Sequence, residues 1–130
     1  MYKLDFKVRD YECDLQGIVN NSTYQCYLEH ARHEFLLEKG IDFAEYHKQG
    51  KTLVVVKAEL EYKFPLTSGD SFYVTVEPSK EGRLKFVFNQ NIYRKEDDKL
   101  IVKGKITGVC LINGRPAVDE AMDSFLLSDS

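Results

Sequence analysis

The sequence predicts an α+β fold in which an antiparallel sheet of five strands is packed around one long helix. Apolar residues recur at spacings of three and four in a single long stretch, which predicts one long helix. Most of the remaining chain alternates apolar and polar residues between short turn signals, as strands joined by tight connections do. One strand and one helix followed by four strands favour a helix lying on an antiparallel sheet.

The first strand is predicted for residues 2–8, where apolar and charged residues alternate. Residues 10–21 then break this alternation with acidic residues, Gly17 and two asparagines, so we expect a loop here. This loop leads directly into the long helix.

The long helix is predicted to begin at a capping box formed by Ser22 and Gln25, within two residues. Gly40 supplies the residue that ends it. The stripe expected to face the sheet consists of Tyr24, Leu28, Ala31 and Phe35. A shorter helix of two turns is predicted for residues 42–49.

Four further strands are predicted from alternating apolar residues. The second begins at Thr52, and its apolar face comprises Val54, Val56, Ala58, Leu60, Tyr62 and Phe64. The third contains Phe72, Val74 and Val76, the fourth runs from Leu84 to Ile92, and the fifth spans residues 100–112. Turns at residues 65–70, 78–82 and 96–99 separate them, so we expect hairpins to link these four strands.

Gly104 and Gly108 lie on the core-facing side of the fifth strand, where they leave room for another backbone, such as that of the helix. A single sheet with one helix leaves its edge strands and one face poorly covered. Pairing with a second copy would cover them, so we expect at least a dimer.

The composition is that of an ordinary globular protein, and 130 residues suit one domain, predicted for residues 1–130. A net charge of -3 argues against a nucleic-acid partner. No apolar run resembles a secretory signal or a membrane span, and three cysteines without a CxxC spacing suit a reducing compartment. The sequence therefore predicts a cytoplasmic protein with no membrane partner.

The loop before the long helix is the most suggestive region for chemistry. It places Asp14 and Gly17 just ahead of a helix N-terminus, where free N–H groups can stabilise charge that develops on a carbonyl oxygen. Asp14 could act as a nucleophile or deprotonate water. Alternatively, the acidic and asparagine residues cap the helix and shape a turn.

The segment VRDYECDLQGIVNNSTYQCYLEHAR, residues 8–32, resembles the signature of hotdog-fold acyl-CoA thioesterases related to 4-hydroxybenzoyl-CoA thioesterase. Asp14 matches the catalytic aspartate of that family, and Gly17 and Tyr24 also match. Farther along, Tyr62 to Pro65 resembles the turn before the third strand of the family, and Gly114 to Pro116 its closing turn.

The resemblance implies a hotdog fold, a homodimer or homotetramer with active sites at the subunit interface, and hydrolysis of acyl-CoA to free coenzyme A and a carboxylic acid. Asp14 is then the catalytic residue, and the substrate and oxyanion residues are Gly17, Asn20, Asn21, Thr23 and Tyr24. No metal or cofactor is implied, because coenzyme A is part of the substrate. Related families leave two alternatives open, an acyl-ACP thioesterase and a non-catalytic acyl-CoA binder.

Two assignments have competing interpretations. Asn20 and Asn21 could order the attacking water or simply cap the helix. Glu29 is the fallback carboxylate, since some hotdog thioesterases use a helix glutamate, but it could instead pair with Arg32 or His33 on the helix surface. Helical spacing brings too few of His30, His33 and Glu29 together to predict a metal site.

Overall fold

The computed structural model describes residues 1–127, in which one antiparallel sheet partly encloses a long helix. The last three residues of the predicted domain therefore lie outside the described part. The strands are β1 (Tyr2–Lys7), β2 (Lys51–Tyr62), β3 (Ser71–Glu81), β4 (Lys85–Arg94), β5 (Lys99–Ile112) and β6 (Arg115–Pro116). The helices are α1 (Asn21–Glu38), α2 (Phe43–Lys48) and α3 (Glu120–Leu127), with a short 3-10 turn at Asp10–Glu12.

The strand order is β1-β3-β4-β5-β2, with the two-residue β6 added to β5. Hairpins link β3 to β4 and β4 to β5, as expected, but the predicted hairpin between β2 and β3 is wrong. β2 pairs with β5 instead, so residues 63–70 carry the chain past β5 and β4. This connection is longer than a tight turn because it also pairs with the loop before α1, at Leu66 and Thr67.

Helix α1 packs on the concave face of the sheet through the predicted apolar stripe. All four stripe residues, Tyr24, Leu28, Ala31 and Phe35, are buried. Gly40 ends the helix with a φ of +89°, a conformation that glycine adopts without steric cost. Asn20 is the N-cap but makes no side-chain cap bond, and Ser22 lies inside the first turn. The predicted capping box is therefore wrong, although the helix begins within the expected two residues.

Close approach between α1 and the sheet depends on Gly104. A side chain there would place its Cβ 2.8 Å from the carbonyl oxygen of Gln90 and 3.1 Å from Cδ1 of Leu28. The fully buried Gln90 donates from Nε2 to the carbonyl of Leu28 at 2.9 Å. The predicted gap for the helix is therefore real at Gly104, whereas Gly108 faces the backbone of Val54.

Two strands depart from their predicted patterns. β3 continues through Pro78 to Glu81, so the turn begins only at Gly82, whose φ is +67°. In β2 the register shifts between Val55 and Lys57, which breaks the predicted single apolar face. As a result Val55 and Val56 are 51% and 54% exposed at the open edge of the sheet.

Helix α3, which the strand analysis did not predict, closes one end of the core with Met122 and Leu126. Its N-terminus is fixed by Asp119, which accepts a hydrogen bond from the Ala121 N–H at 3.2 Å. Asp119 also lies 3.3 Å from Nζ of Lys51 at the start of β2. The spacing of Met122 and Leu126 was a helical signal present in the sequence.

Candidate active site

The loop before α1 folds back on itself as a small hairpin, residues 12–20, which we call the Asp14 hairpin. The Asn20 N–H donates to the Glu12 carbonyl at 3.1 Å, and the Asp14 N–H donates to the Ile18 carbonyl at 2.8 Å. At the tip, the Gly17 N–H donates to the Asp14 carbonyl at 3.0 Å, and Gly17 has a φ of +80°. Asp14 therefore begins a tight turn, and Gly17 supplies the left-handed conformation that this turn requires.

The Asp14 side chain is exposed but its orientation is fixed. Its Oδ1 accepts hydrogen bonds from the N–H groups of Gln16 at 2.8 Å and Ile18 at 3.4 Å. No described residue donates a hydrogen bond to Oδ2 in the structure. One carboxylate oxygen is thus held by the loop while the other can meet water or substrate.

The N-terminus of α1 follows directly and offers backbone donors. The N-cap Asn20 makes no side-chain capping bond, and the Thr23 N–H donates to the Asn20 carbonyl at 3.0 Å. Within residues 1–127, the N–H groups of Asn21 and Ser22 have no hydrogen-bond acceptor. Two free N–H groups at the positive end of an 18-residue helix can stabilise a developing oxyanion.

The predicted substrate residues thus fall into two groups. Asn21 offers a free N–H, whereas the N–H groups of Gly17, Asn20 and Thr23 already bond within the chain. Tyr24 is only 2% exposed, and burial raises the pKa of its hydroxyl. That hydroxyl accepts the Leu66 N–H at 3.0 Å, so the contact we observe for Tyr24 is structural. The substrate roles of these residues stay predictions.

The segment that supports the hairpin from the other side was not predicted from the sequence. The Val19 N–H donates to the Leu66 carbonyl at 2.9 Å, and Ile18 forms a bridge with Thr67. These partners lie more than forty positions away, in the connection between β2 and β3. The resemblance of residues 62–65 to a family turn was the available signal for this region.

The polar loop and the connection that pairs with it also carry exposed apolar side chains. Leu15, directly after Asp14, is fully exposed, and Tyr11 and Phe64 are also exposed. The ring of Tyr62 lies 5.7 Å from that of Tyr24, so the end of β2 reaches the start of α1. Exposed apolar groups beside a carboxylate suit a substrate with an apolar chain.

The fallback carboxylate, Glu29, lies away from Asp14 in the same chain. It is eight residues into α1 from Asn21, about 12 Å along the helix axis at about 1.5 Å per residue. Glu29 lines two cavities of about 260 and 150 Å³ together with Arg32 and Val55. Burial lowers the pKa of Arg32, whose Nη1 donates to Oε1 of Gln90 at 3.0 Å.

A cavity of about 880 Å³ lies beside the Asp14 hairpin and not around Asp14 itself. It runs along β1 and the exposed face of α1, and Cys26 and His30 line it. The His30 ring meets Phe6 edge-on at 5.8 Å. Because Asp14 does not line this groove, we place the chemistry at the hairpin and not in the groove.

In the described part of the chain, no three His, Cys, Asp or Glu side chains come together as metal ligands would. The predicted absence of a metal or other cofactor remains a prediction. None of the described helices is long and apolar enough to cross a membrane.

Comparison with known proteins places this geometry in a family. The model of a thioesterase-like superfamily matches residues 8–126, nearly the whole chain. The chain belongs to this superfamily. The resemblance inferred from the Asp14 segment is thereby confirmed.

The chain is also similar in sequence to individual thioesterases. The chain is 35% identical over 112 residues to the chloroplast acyl-acyl carrier protein thioesterase ATL3 of Arabidopsis thaliana, covering 86% of this chain and 59% of that protein. It is 28% identical over 105 residues to the long-chain acyl-CoA thioesterase FadM of Escherichia coli, covering 81% of this chain and 79% of FadM. The chain thus spans about three-fifths of the length of the plant relative.

Among solved structures, a hypothetical protein from Aquifex aeolicus matches with a TM-score of 0.89 and 30% identity. The match covers 97% of this chain and 99% of the Aquifex chain. A sheet curled around a long helix is the hotdog arrangement, so the predicted fold class is confirmed.

Proposed function

We propose that this protein hydrolyses acyl-CoA thioesters, releasing coenzyme A and a carboxylic acid, with Asp14 as nucleophile or general base. The observation that carries the proposal is the Asp14 carboxylate, fixed in a hairpin whose second arm runs directly into α1, where the N–H groups of Asn21 and Ser22 are free. Membership of the thioesterase-like superfamily supports the reaction class, and the likeness to FadM supports coenzyme A as the thiol.

In the general-base route, Oδ2 of Asp14 takes a proton from water, and the oxygen attacks the thioester carbonyl carbon. The negative charge moves to the carbonyl oxygen, where the Asn21 and Ser22 N–H groups stabilise it. Collapse of this intermediate breaks the C–S bond, and the coenzyme A thiolate takes up the proton. A thiolate leaves readily, so one carboxylate and two N–H donors suffice.

In the nucleophilic route, Oδ2 of Asp14 attacks the same carbon and the C–S bond breaks as the thiolate leaves. The acyl group is then held on Asp14 as a mixed anhydride, which water hydrolyses. Rapid quenching followed by mass spectrometry separates the routes. An acyl group on the Asp14 peptide identifies the nucleophilic route, and its absence during a measured burst of thiol identifies the general-base route.

The second candidate donor is an acyl carrier protein, because ATL3 is named for that substrate and shares 35% identity with this chain. The donors are separated by comparing kcat/KM for one acyl chain carried on coenzyme A and on a carrier protein. A preference of more than about a hundredfold for the carrier, about 2.7 kcal/mol, would replace coenzyme A in the proposal.

We further propose that the protein acts as a homodimer or homotetramer with active sites at the subunit interface. The open edge of β2, with Val55 and Val56 exposed, supports pairing with a second copy.

The free cysteines Cys13, Cys26 and Cys110 support the expected reducing, cytoplasmic location.

The decisive test measures thiol release from aliphatic and aromatic acyl-CoA substrates by wild type, Asp14→Asn and Asp14→Ala. We expect wild type to turn over and both variants to lose at least about a hundredfold in kcat/KM while remaining folded. Asp5→Asn is the matched control, since Asp5 is an exposed carboxylate on β1 that pairs with Lys95.

Two results would contradict the proposal. Full activity in the Asp14 variants would move the catalytic role to Glu29, which Glu29→Gln then tests. Ligand binding by wild type without turnover on any coenzyme A or carrier substrate would favour the non-catalytic binder.

A further inference from the structure

The two arms of the Asp14 hairpin are held in different ways. The second arm, residues 18–20, bonds to Leu66 and Thr67 and continues into α1. The first arm, residues 12–14, carries Asp14, and within residues 1–127 its backbone bonds only to the rest of the hairpin and to the turn just before it, at Arg9 and Asp10. The bond between the first arm and α1 itself is made by a side chain.

Glu12 makes this connection through two different groups. Its Oε1 accepts hydrogen bonds from the Tyr27 hydroxyl and from the Arg9 N–H, each at 2.8 Å. Its backbone carbonyl accepts the Asn20 N–H at 3.1 Å. One residue thus joins the end of β1, the two arms of the hairpin and the second turn of α1.

Tyr27 is a rigid donor for this contact. It is 5% exposed, and its ring packs against Phe72 at 4.7 Å and Phe6 at 5.6 Å. Burial first, and the bond to Glu12 second, raise the pKa of Tyr27 far above its usual range. The hydroxyl therefore keeps its proton and donates to a carboxylate, which is a stronger bond than one between neutral groups.

We propose that Glu12 and Tyr27 are a positioning pair that sets the place of the Asp14 carboxylate relative to the N-terminus of α1. The proposal rests on the proposed function, because it concerns the geometry of that reaction. Neither residue touches the reacting atoms. They act through the first arm of the hairpin, two residues before Asp14.

The reaction allows only small displacements of the reacting groups, which is why the position of the hairpin matters. The attacking oxygen and the oxyanion donors must meet one carbonyl group from two sides, within a few tenths of an ångström. Asp14 lies on the first arm and the donors, Asn21 and Ser22, lie on α1. The Glu12 to Tyr27 bond is the side-chain link between these two parts, so its loss lets them move apart.

The test begins with Tyr27→Phe, which removes the hydroxyl and keeps the packed ring. We expect kcat to fall at least about tenfold, the effect of losing a hydrogen bond to a charged group, with KM changed less than about twofold. Tyr73→Phe is the matched control, because the Tyr73 hydroxyl donates to Asp98 at 2.9 Å from the opposite face of the sheet. We expect this control to keep wild-type kcat.

Glu12 variants test the same link from the other side. Glu12→Ala should lower kcat as Tyr27→Phe does, and the double variant should be no slower than the slower single one, because both remove one contact. Glu12→Gln keeps an acceptor oxygen and should recover part of the lost activity. Full additivity in the double variant would contradict a shared role.

Amide hydrogen exchange supplies a readout that does not depend on turnover. The Asn20 and Gln16 N–H groups, which bond within the hairpin, should exchange faster in Tyr27→Phe than in wild type or Tyr73→Phe. Wild-type kcat in Tyr27→Phe, or an equal loss in Tyr73→Phe, would overturn the proposal. An inactive wild type would instead contradict the proposed function, and unchanged exchange would then also reject the positioning of the loop.

Discussion

Tyr24 shows at the residue scale how one side chain joins distant parts of the sequence. Its hydroxyl lies in the core and accepts the Leu66 N–H at 3.0 Å, while the Leu66 carbonyl accepts the Val19 N–H. The backbone of Leu66 is thereby satisfied on both sides away from water. The segment that supports the Asp14 hairpin therefore depends on a residue of α1.

Removing the Tyr24 hydroxyl should lower the stability of the folded protein. Tyr24→Phe leaves the buried Leu66 N–H without an acceptor, which we expect to lower the free energy of unfolding by about 1–3 kcal/mol. Urea unfolding followed by circular dichroism measures the change. Tyr93→Phe is the control, since its hydroxyl accepts from Asn91 in a partly exposed position on the sheet. Equal stability losses in both variants would argue against a special role for the Leu66 contact.

Local chemistry explains why Asp14 could be found from the sequence and the Leu66 support could not. The Asp14 carboxylate bonds to N–H groups two and four residues ahead, so acid and glycine spacing already indicated a turn. The partner of Tyr24 lies 42 residues away, and no spacing rule connects them. The resemblance to a family located the region but not the hydrogen bond.

At the scale of elements, α3 is attached to the body of the protein by polar contacts as well as by its apolar side. Asp119 caps the helix and pairs with Lys51, and their side chains are only 6% and 23% exposed. Farther along, Asp123 pairs with Nζ of Lys80 at 3.0 Å. These contacts hold the helix over the end of the core.

Asp119→Ala should loosen this helix. Loss of the cap and of a largely buried ion pair should cost about 2 kcal/mol of unfolding free energy, and amides of residues 120–127 should exchange faster. Chemical denaturation and amide exchange measure the two effects. Glu120→Gln, an exposed change in the same first turn, should have little effect. A stable Asp119→Ala with unchanged exchange would show that apolar packing alone secures α3.

The periodicity of apolar residues predicted where helices and strands lie better than it predicted where they end or which strands pair. The stripe of α1 was found because its burial repeats with the turn of the helix. The turn predicted at Pro78 is wrong, since Pro78 continues β3 opposite Phe88. The shift at Val56 in β2 could not be predicted, because a bulge depends on the register with β5.

At the scale of the whole molecule, the sheet has an open edge along β2 that one copy leaves uncovered. Twelve residues long, this edge exposes Val55 and Val56 near its centre. Strand pairing with a second copy would satisfy the free backbone groups and bury both side chains. A stable interface buries about 800 Å² on each partner, which one long strand and neighbouring side chains can supply.

We expect wild type to sediment as a dimer or larger assembly, and Val55→Lys to shift it toward monomer. A charge at the pairing edge would have to be buried without a partner. Analytical ultracentrifugation at several concentrations measures the shift. Asn89→Lys adds the same charge at an exposed position of β4, a strand inside the sheet, and should not change the assembly. A wild type that sediments as a fully active monomer would contradict the proposed interface sites.

The α+β fold class could be predicted from the sequence, but the order of the strands in the sheet could not. One helix and five long strands follow from patterning, but the choice of β5 as partner for β2 depends on contacts about fifty residues apart. Turn residues after β2 suggested a hairpin, yet the chain instead crosses to lie beside the Asp14 hairpin. The active-site support and the strand order thus arise from the same long-range pairing.

The full exposure of Leu15 has a practical consequence. The chain contains no tryptophan, so a tryptophan in place of Leu15 would be the sole indole in the molecule. Its emission wavelength depends on how much water surrounds the ring, and the ring would stand directly beside Asp14. That single fluorophore turns the surroundings of the Asp14 carboxylate into an optical signal, with the unbound protein giving the emission of a fully hydrated indole.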